Sequence, residues 1–159
     1  MTGFTAGMVS ADQVRTVFPL VREAVPGLDL KTWLAFSKRI LRPRREPDSG
    51  IVAVRRNARS LPCGMFIYHR EKDLTHGAIL VADHFLALDV LDPPAVMRAL
   101  TQELEQLANR LGCGAIRATV LSEGSLAEAG LQAAGLNRQG ATLWKRLPSD
   151  GPGTPRRMR

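Results

Sequence analysis

The apolar positions of this 159-residue chain change period several times, and each change marks an element. The clearest stretch is Phe85–Thr119. An apolar run, Phe85-Leu86-Ala87-Leu88-Asp89-Val90-Leu91, halts at Asp92-Pro93-Pro94. Val96, Leu100, Leu104, Leu107 and Leu111 then recur every three or four residues, and a second apolar run covers Ala115–Val120. Residues so spaced line one face of a helix, so the pattern predicts a strand, a long amphipathic helix and a strand. Asp92 suits the helix N-cap and the prolines its first turn, where no intrahelical N–H is needed. Gly112 and Gly114 end it.

Upstream, Ser10 with Gln13 three residues later has the capping-box pattern, in which each side chain satisfies an orphan backbone N–H. Val14, Val17, Phe18, Val21 and Val25 follow on one helical face, with Pro19 predicting a kink and Pro26-Gly27 the stop. Asp29 caps a second helix with Leu30, Trp33, Leu34, Ser37, Ile40 and Leu41 on its inner side, ending at Pro43. Arg42–Gly50 is charged and carries two prolines, so it reads as an exposed loop. Ile51–Arg56 and Met65–His69 are strand candidates around the turn Asn57–Gly64, and Glu71–Gly77 suits a hairpin connection. Ala78–Leu91 is long for one strand, which predicts a bend or bulge at Asp83-His84. After Val120 come a small-residue helix across Ser125–Ala134, stopped by Gly135, and a last strand over Gln139–Leu147 containing Trp144. Residues 1–147 are expected to form one domain, and 148–159, rich in Gly, Pro and Arg, a disordered basic tail.

Composition changes this picture only in its charge. A content of 45% hydrophobic and 23% charged residues fits one globular domain. The longest apolar runs are broken at Asp83-His84 and Asp89, so no membrane span is expected. The N-terminus lacks the basic and apolar regions of a secretory signal, and Cys63 and Cys113 stand apart, so reduced thiols and a cytoplasmic location are expected. The net charge of +7 is uneven: Lys38–Arg59 holds eight Lys/Arg against two acids, and 148–159 three Arg against one Asp. The remainder is close to neutral. A patch of this kind attracts an acidic partner or anionic groups. Association with nucleic acid is the weaker reading, because aromatic residues are 5% of the chain and base-stacking platforms are scarce.

The order of elements resembles the GNAT superfamily of acyl-CoA N-acyltransferases: two helices, three strands joined by hairpin turns, a long helix, a strand, a short helix and a final strand. Met1–Val9 would supply the family's short first strand. Leu61-Pro62-Cys63-Gly64 is similar to the family's hydrophobic-Gly entry to its third strand. Ala127…Gly135-Leu136, followed by a strand ending in Lys145, is similar to its Ala…Gly-Phe ending. The resemblance covers Ser10–Leu147. It implies an α/β (α+β) domain with a mixed, mostly antiparallel sheet that splays open for the cofactor's pantetheine arm. It implies acetyl-CoA or another acyl-CoA as donor and a small-molecule or protein amine as acceptor. The backbone of Leu88, Asp89 and Val90 would pair with the pantetheine amides. Val96, Met97 and Arg98 would lie at the phosphate end, with Arg98 or the basic loop reaching the phosphates. Asp83 or His84 stands where relatives often keep a base midway along the fourth strand, and either group can take an amine's proton.

Two departures carry information of their own. Family members have a Gln/Arg-x-x-Gly-x-Gly/Ala loop whose N–H groups, at the positive end of the long helix, receive the pyrophosphate. This chain has Val90-Leu91-Asp92-Pro93-Pro94-Ala95 instead. Proline has no N–H, and Asp92 adds a charge of the wrong sign. Many active relatives also carry a general-acid Tyr four residues before the Gly-Phe pair, a place that falls on Leu131 here. The alternative reading is therefore a GNAT-like binding or regulatory domain without catalysis. His69, His76 and His84 are too scattered for a metal site, and none is expected. Cys63 and Cys113 are expected to be packing thiols, and Trp33 and Trp144 core or rim aromatics.

Overall fold

A computed structural model describes residues 3–43, 48–57, 59–88 and 91–148. Five strands form one sheet in sequence order: β1 (Thr5–Met8), β2 (Ser49–Arg55), β3 (Gly64–Asp73), β4 (Gly77–Ala87) and β5 (Ala115–Ala118). Neighbouring pairs are antiparallel except β4–β5, which is parallel. A parallel neighbour needs a crossover, and α3 (Pro93–Arg110) supplies it. The other helices are α1 (Val14–Ala24), entered through a short 3-10 turn over Ala11–Gln13, α2 (Leu30–Ile40) and α4 (Leu126–Ala133). No helix among the described residues is long and apolar enough to cross a membrane.

Strand alternation divides the core in two. Val52, Val54, Phe66, Tyr68 and Leu80 face α3 and α4, meeting Val96, Leu100, Leu104, Leu107 and Leu131. Ile51, Ala53, Met65 and Ile67 face α1 and α2, meeting Val17, Leu20, Val21 and Trp33. The stripe expected on the long helix is the stripe that is buried, with Leu111 packed partly against it. Caps form as their residues predict: the Ser10–Gln13 capping box is present, and the Asp29 carboxylate accepts the Thr32 N–H at 2.6 Å. Ser125 likewise accepts the Glu128 N–H at 3.2 Å to open α4.

The bend expected at Asp83-His84 is a β-bulge. Pairing of β3 with β4 runs from Ile67↔Asp83 to Met65↔Leu86, so β4 uses one residue more than its partner. The extra residue reverses the alternation. Leu80 and Ala82 face α3, and after the bulge Phe85 does so too, stacking on Phe66 with ring centroids 5.3 Å apart, while Leu86 turns to the α1 side. His84 takes a φ of 54° to make this step.

The expected last strand over Gln139–Leu147 does not form. These residues have no regular structure, and Leu143, Trp144 and Leu147 are 92%, 91% and 72% exposed. β5 therefore remains a sheet edge of only four residues, with no strand beside it beyond β4 among the described residues. Trp33 is a core aromatic, at 1% exposure, and Trp144 is not. The tail beyond Pro148 lies outside the described residues.

Candidate functional site

The site is built from the parting of β4 and β5. Their register runs from Ile79↔Ala115 to Ala82↔Ala118, and one more bond follows, Thr119 N–H to the Ala82 carbonyl at 2.9 Å. Beyond it β5 ends, whereas β4 continues through the bulge to Ala87. One edge of β4 past Ala82 thus has no strand beside it. Asp83 and His84, the expected proton-handling residues, are half-buried and sit at the start of this open stretch. The His84 Nδ1 is enclosed and has no hydrogen-bond partner.

The remaining expected residues divide by position. Leu88 lies just past β4, but its N–H already donates to the Cys63 carbonyl at 2.8 Å, so it faces β3. Asp89 and Val90 lie outside the described residues. Val96 and Met97 are buried, at 0% and 2% exposure, with their side chains in the core; Arg98 is exposed. At the start of α3, Pro93 and Pro94 have no N–H, and the Ala95 N–H donates to Asp92 Oδ1 at 3.1 Å. The next N–H, of Val96, donates to the Asp92 carbonyl at 3.3 Å. The four donors that would meet an anion at a helix start are missing or engaged.

The place of the family's general-acid tyrosine is filled by Leu131, which is buried in the core. The one tyrosine of the sequence, Tyr68, is in the core as well, its hydroxyl against Met8 Sδ at 3.5 Å and its pKa raised by burial. His69 and His76 are tied to carboxylates: His69 Nε2 lies 3.0 Å from Glu71, and His76 Nδ1 3.0 Å from Asp73. Glu71 is held below the ordinary carboxylate range by His69 and by Arg117, and Asp73 by His76. No group of three metal-ligating side chains occurs among the described residues. Both cysteines are half-buried, and burial pushes the Cys113 thiol up.

A feature that sequence reasoning missed is an open cavity of about 660 Å³ on the α1 side of the sheet, beyond the end of β4. Leu20 and Glu23 of α1, Arg56 and Leu61 of the β2–β3 connection, and Leu88 and Leu91 after β4 line it. Leu61 and Leu91, 71% and 80% exposed, give its mouth an apolar rim. Its walls come from three segments far apart in the sequence, which is why no single stretch announces it.

No protein-family model and no curated protein matches the chain by sequence. Solved structures do match it by shape. The aminoglycoside N-acetyltransferase AAC(6')-Iy in complex with CoA superposes with a TM-score of 0.75 at 14% identity, over 92% of this chain and 96% of that one. The chain has the GNAT fold. The aminoglycoside 6'-N-acetyltransferase AAC(6')-Ih of Acinetobacter baumannii gives 0.72 at 12% identity, covering 92% and 99% of the two chains. The ribosomal-protein-alanine N-acetyltransferase of Brucella melitensis biovar Abortus 2308 gives 0.72 at 10%, covering 91% and 100%. At such identities the likeness speaks for the GNAT architecture, and the chemistry has to come from the site.

Proposed function

We propose that this GNAT-fold chain is an N-acyltransferase that moves an acyl group from a pantetheine thioester, such as acetyl-CoA or a longer acyl-CoA, to an amine. The observation that carries the reading is the open edge of β4 beside the end of β5, with the half-buried Asp83 and His84 at its start. An unpaired strand edge offers N–H and C=O groups at the spacing of an extended amide chain, and a pantetheine arm has two amides to match them. The amine nitrogen attacks the thioester carbon directly, and Asp83, His84 or water takes its proton. The acceptor is a small-molecule or protein amine, and GNAT neighbours of both descriptions are known by name.

A specific observation favours a second reading. The α3 start, with two prolines and an engaged Ala95 N–H, does not fit a diphosphate, so a GNAT-fold binding module without turnover is the alternative. Arg98, or the basic stretch Lys38–Arg59, is then the remaining source of positive charge for phosphates or for an acidic partner.

Calorimetry with acetyl-CoA, desulfo-CoA and pantetheine tests the first reading. Saturable binding of all three supports it. Absence of heat and of thermal stabilisation at millimolar ligand would leave only the second.

A further inference from the structure

His84 combines two anomalies at one place. It is the only non-glycine with a positive φ among the described residues, a conformation that costs an ordinary side chain on the order of 1–2 kcal/mol. Its Nδ1 is also the only buried side-chain polar atom among them that lacks a partner. Strain and an orphaned polar atom persist together where the surroundings impose them, and they cluster at functional sites. Here they coincide with the residue at which β4 bulges and has lost its neighbour β5.

The orphaned nitrogen decides what the ring can do. A neutral imidazole carries one N–H, on Nδ1 or on Nε2. An N–H on the enclosed Nδ1 would be a buried donor with no acceptor, which costs the desolvation of that group. A proton on Nε2, the nitrogen that is not enclosed, leaves Nδ1 an unmet acceptor instead, the lesser cost, since orphaned buried N–H groups are the rarer case in folded proteins. His69 and His76 lack this asymmetry, because a carboxylate stands 3.0 Å from one nitrogen of each. With Nε2 already protonated, action as a base would require a second proton on Nδ1 and a charge on the enclosed side of the ring. Donation from Nε2–H requires neither.

We propose that His84 is a neutral hydrogen-bond donor to the acyl carbonyl oxygen, and not the general base; this assignment rests on the acyltransferase reading. In the step, the amine nitrogen bonds to the acyl carbon while the carbonyl π pair moves onto oxygen, where Nε2–H holds the developing charge. The new ammonium loses a proton to water or to the Asp83 carboxylate. The oxygen pair then re-forms C=O, the C–S bond breaks, and the departing thiolate takes a proton from solvent. His84 ends each cycle in the tautomer in which it began. Removing one donor at such an oxygen typically costs about 100- to 1,000-fold in kcat.

Two measurements test this. Long-range proton–nitrogen correlation spectra of the 15N-histidine protein, with the His84 signals assigned by their loss in His84→Gln, should show the Nε2–H tautomer at neutral pH without any ligand. An Nδ1–H tautomer or an imidazolium there overturns the proposal. The second is kcat/KM for three variants with acetyl-CoA and an accepted amine. Gln places its amide N–H near the Nε2 position, so His84→Gln should stay within about tenfold of wild type, while His84→Asn and His84→Ala lose about 100-fold or more. A base role predicts that Gln is as poor as Ala. A merely structural role predicts that Asn, which tolerates positive φ best, outperforms Gln. Wild type without turnover for any donor and amine refutes the electrophile role together with the acyltransferase reading. The tautomer result separates that failure from an error in the ring assignment.

Discussion

Gly64 opens β3 directly beneath α3, and a Cβ built on it would lie 2.6 Å from Val96 Cγ1, 3.0 Å from Leu100 Cδ1 and 3.1 Å from the Leu86 carbonyl oxygen. Its φ is outside the left-handed region, so glycine is required here for space and not for backbone freedom. None of the three neighbours yields readily. Val96 and Leu100 are wholly buried, valine's χ1 is stiff, and the third atom belongs to the β4 backbone. Gly64→Ala must therefore lift the start of α3 off the sheet, at an overpacking cost of about 1–3 kcal/mol. The reduced freedom of the unfolded alanine chain returns only about 0.4–1 kcal/mol. A net loss of about 1–2 kcal/mol corresponds to a fall in Tm of about 2–8 °C for a domain of this size. A double-mutant cycle with Val96→Ala isolates the clash. Val96→Ala alone should cost about 2 kcal/mol, and the pair should be at least about 1 kcal/mol more stable than the two single losses combined. Urea melts of the four proteins measure this. A neutral Gly64→Ala, or strictly additive losses, would refute the claim that α3 and β3 meet without slack at this point.

Other outcomes follow from the same geometry. Replacing Asp92 by Ser and both Pro93 and Pro94 by Ala restores two N–H groups and removes a charge while keeping a capping side chain; CoA affinity should rise about tenfold or more with pantetheine affinity unchanged, as calorimetry can determine. Acrylamide should quench Trp144 fluorescence and spare Trp33, and Trp144→Phe should abolish the quenchable fraction; equal protection of both would show that the C-terminal segment packs somewhere. Asp29, Asp73 and Glu128 all have folded pKa values below their unfolded ones, Glu128 through Arg138 and the Gly124 N–H. Such groups contribute stability that is present above the unfolded value and lost as pH falls through the folded one. Tm should therefore be level above about pH 5 and fall progressively below about pH 4, and Glu128→Gln should lower the plateau and flatten the fall.

Most of the scaffold was legible because its signals are local. The α3 stripe, the Ser10–Gln13 box and the Asp29 and Asp92 caps need only neighbouring residues, and each forms where its spacing predicts. The bulge was also legible, since Asp83-His84 interrupts an apolar run that is otherwise too long. The final strand was misread for the opposite reason. Residues 139–147 hold apolar residues after a glycine, but a strand needs a partner, and the pairing of β5 is not written in that segment. The orphaned Nδ1 of His84 and the cavity between α1, Leu61 and Leu91 depend on distant parts of the chain meeting, so no window of sequence displays them. The closed α3 start was legible down to its atoms: two prolines and a capping aspartate leave few alternatives.

The most direct test of the acyltransferase account is thiol release, followed continuously, from acetyl-CoA and longer acyl-CoA donors against a panel of aminoglycosides, polyamines and peptide amines. The account predicts release that depends on the amine, saturates in the donor and falls at least 100-fold in His84→Ala. Folded protein that releases no thiol above the buffer rate with any donor and amine would contradict it, and the open edge of β4 would then serve binding alone.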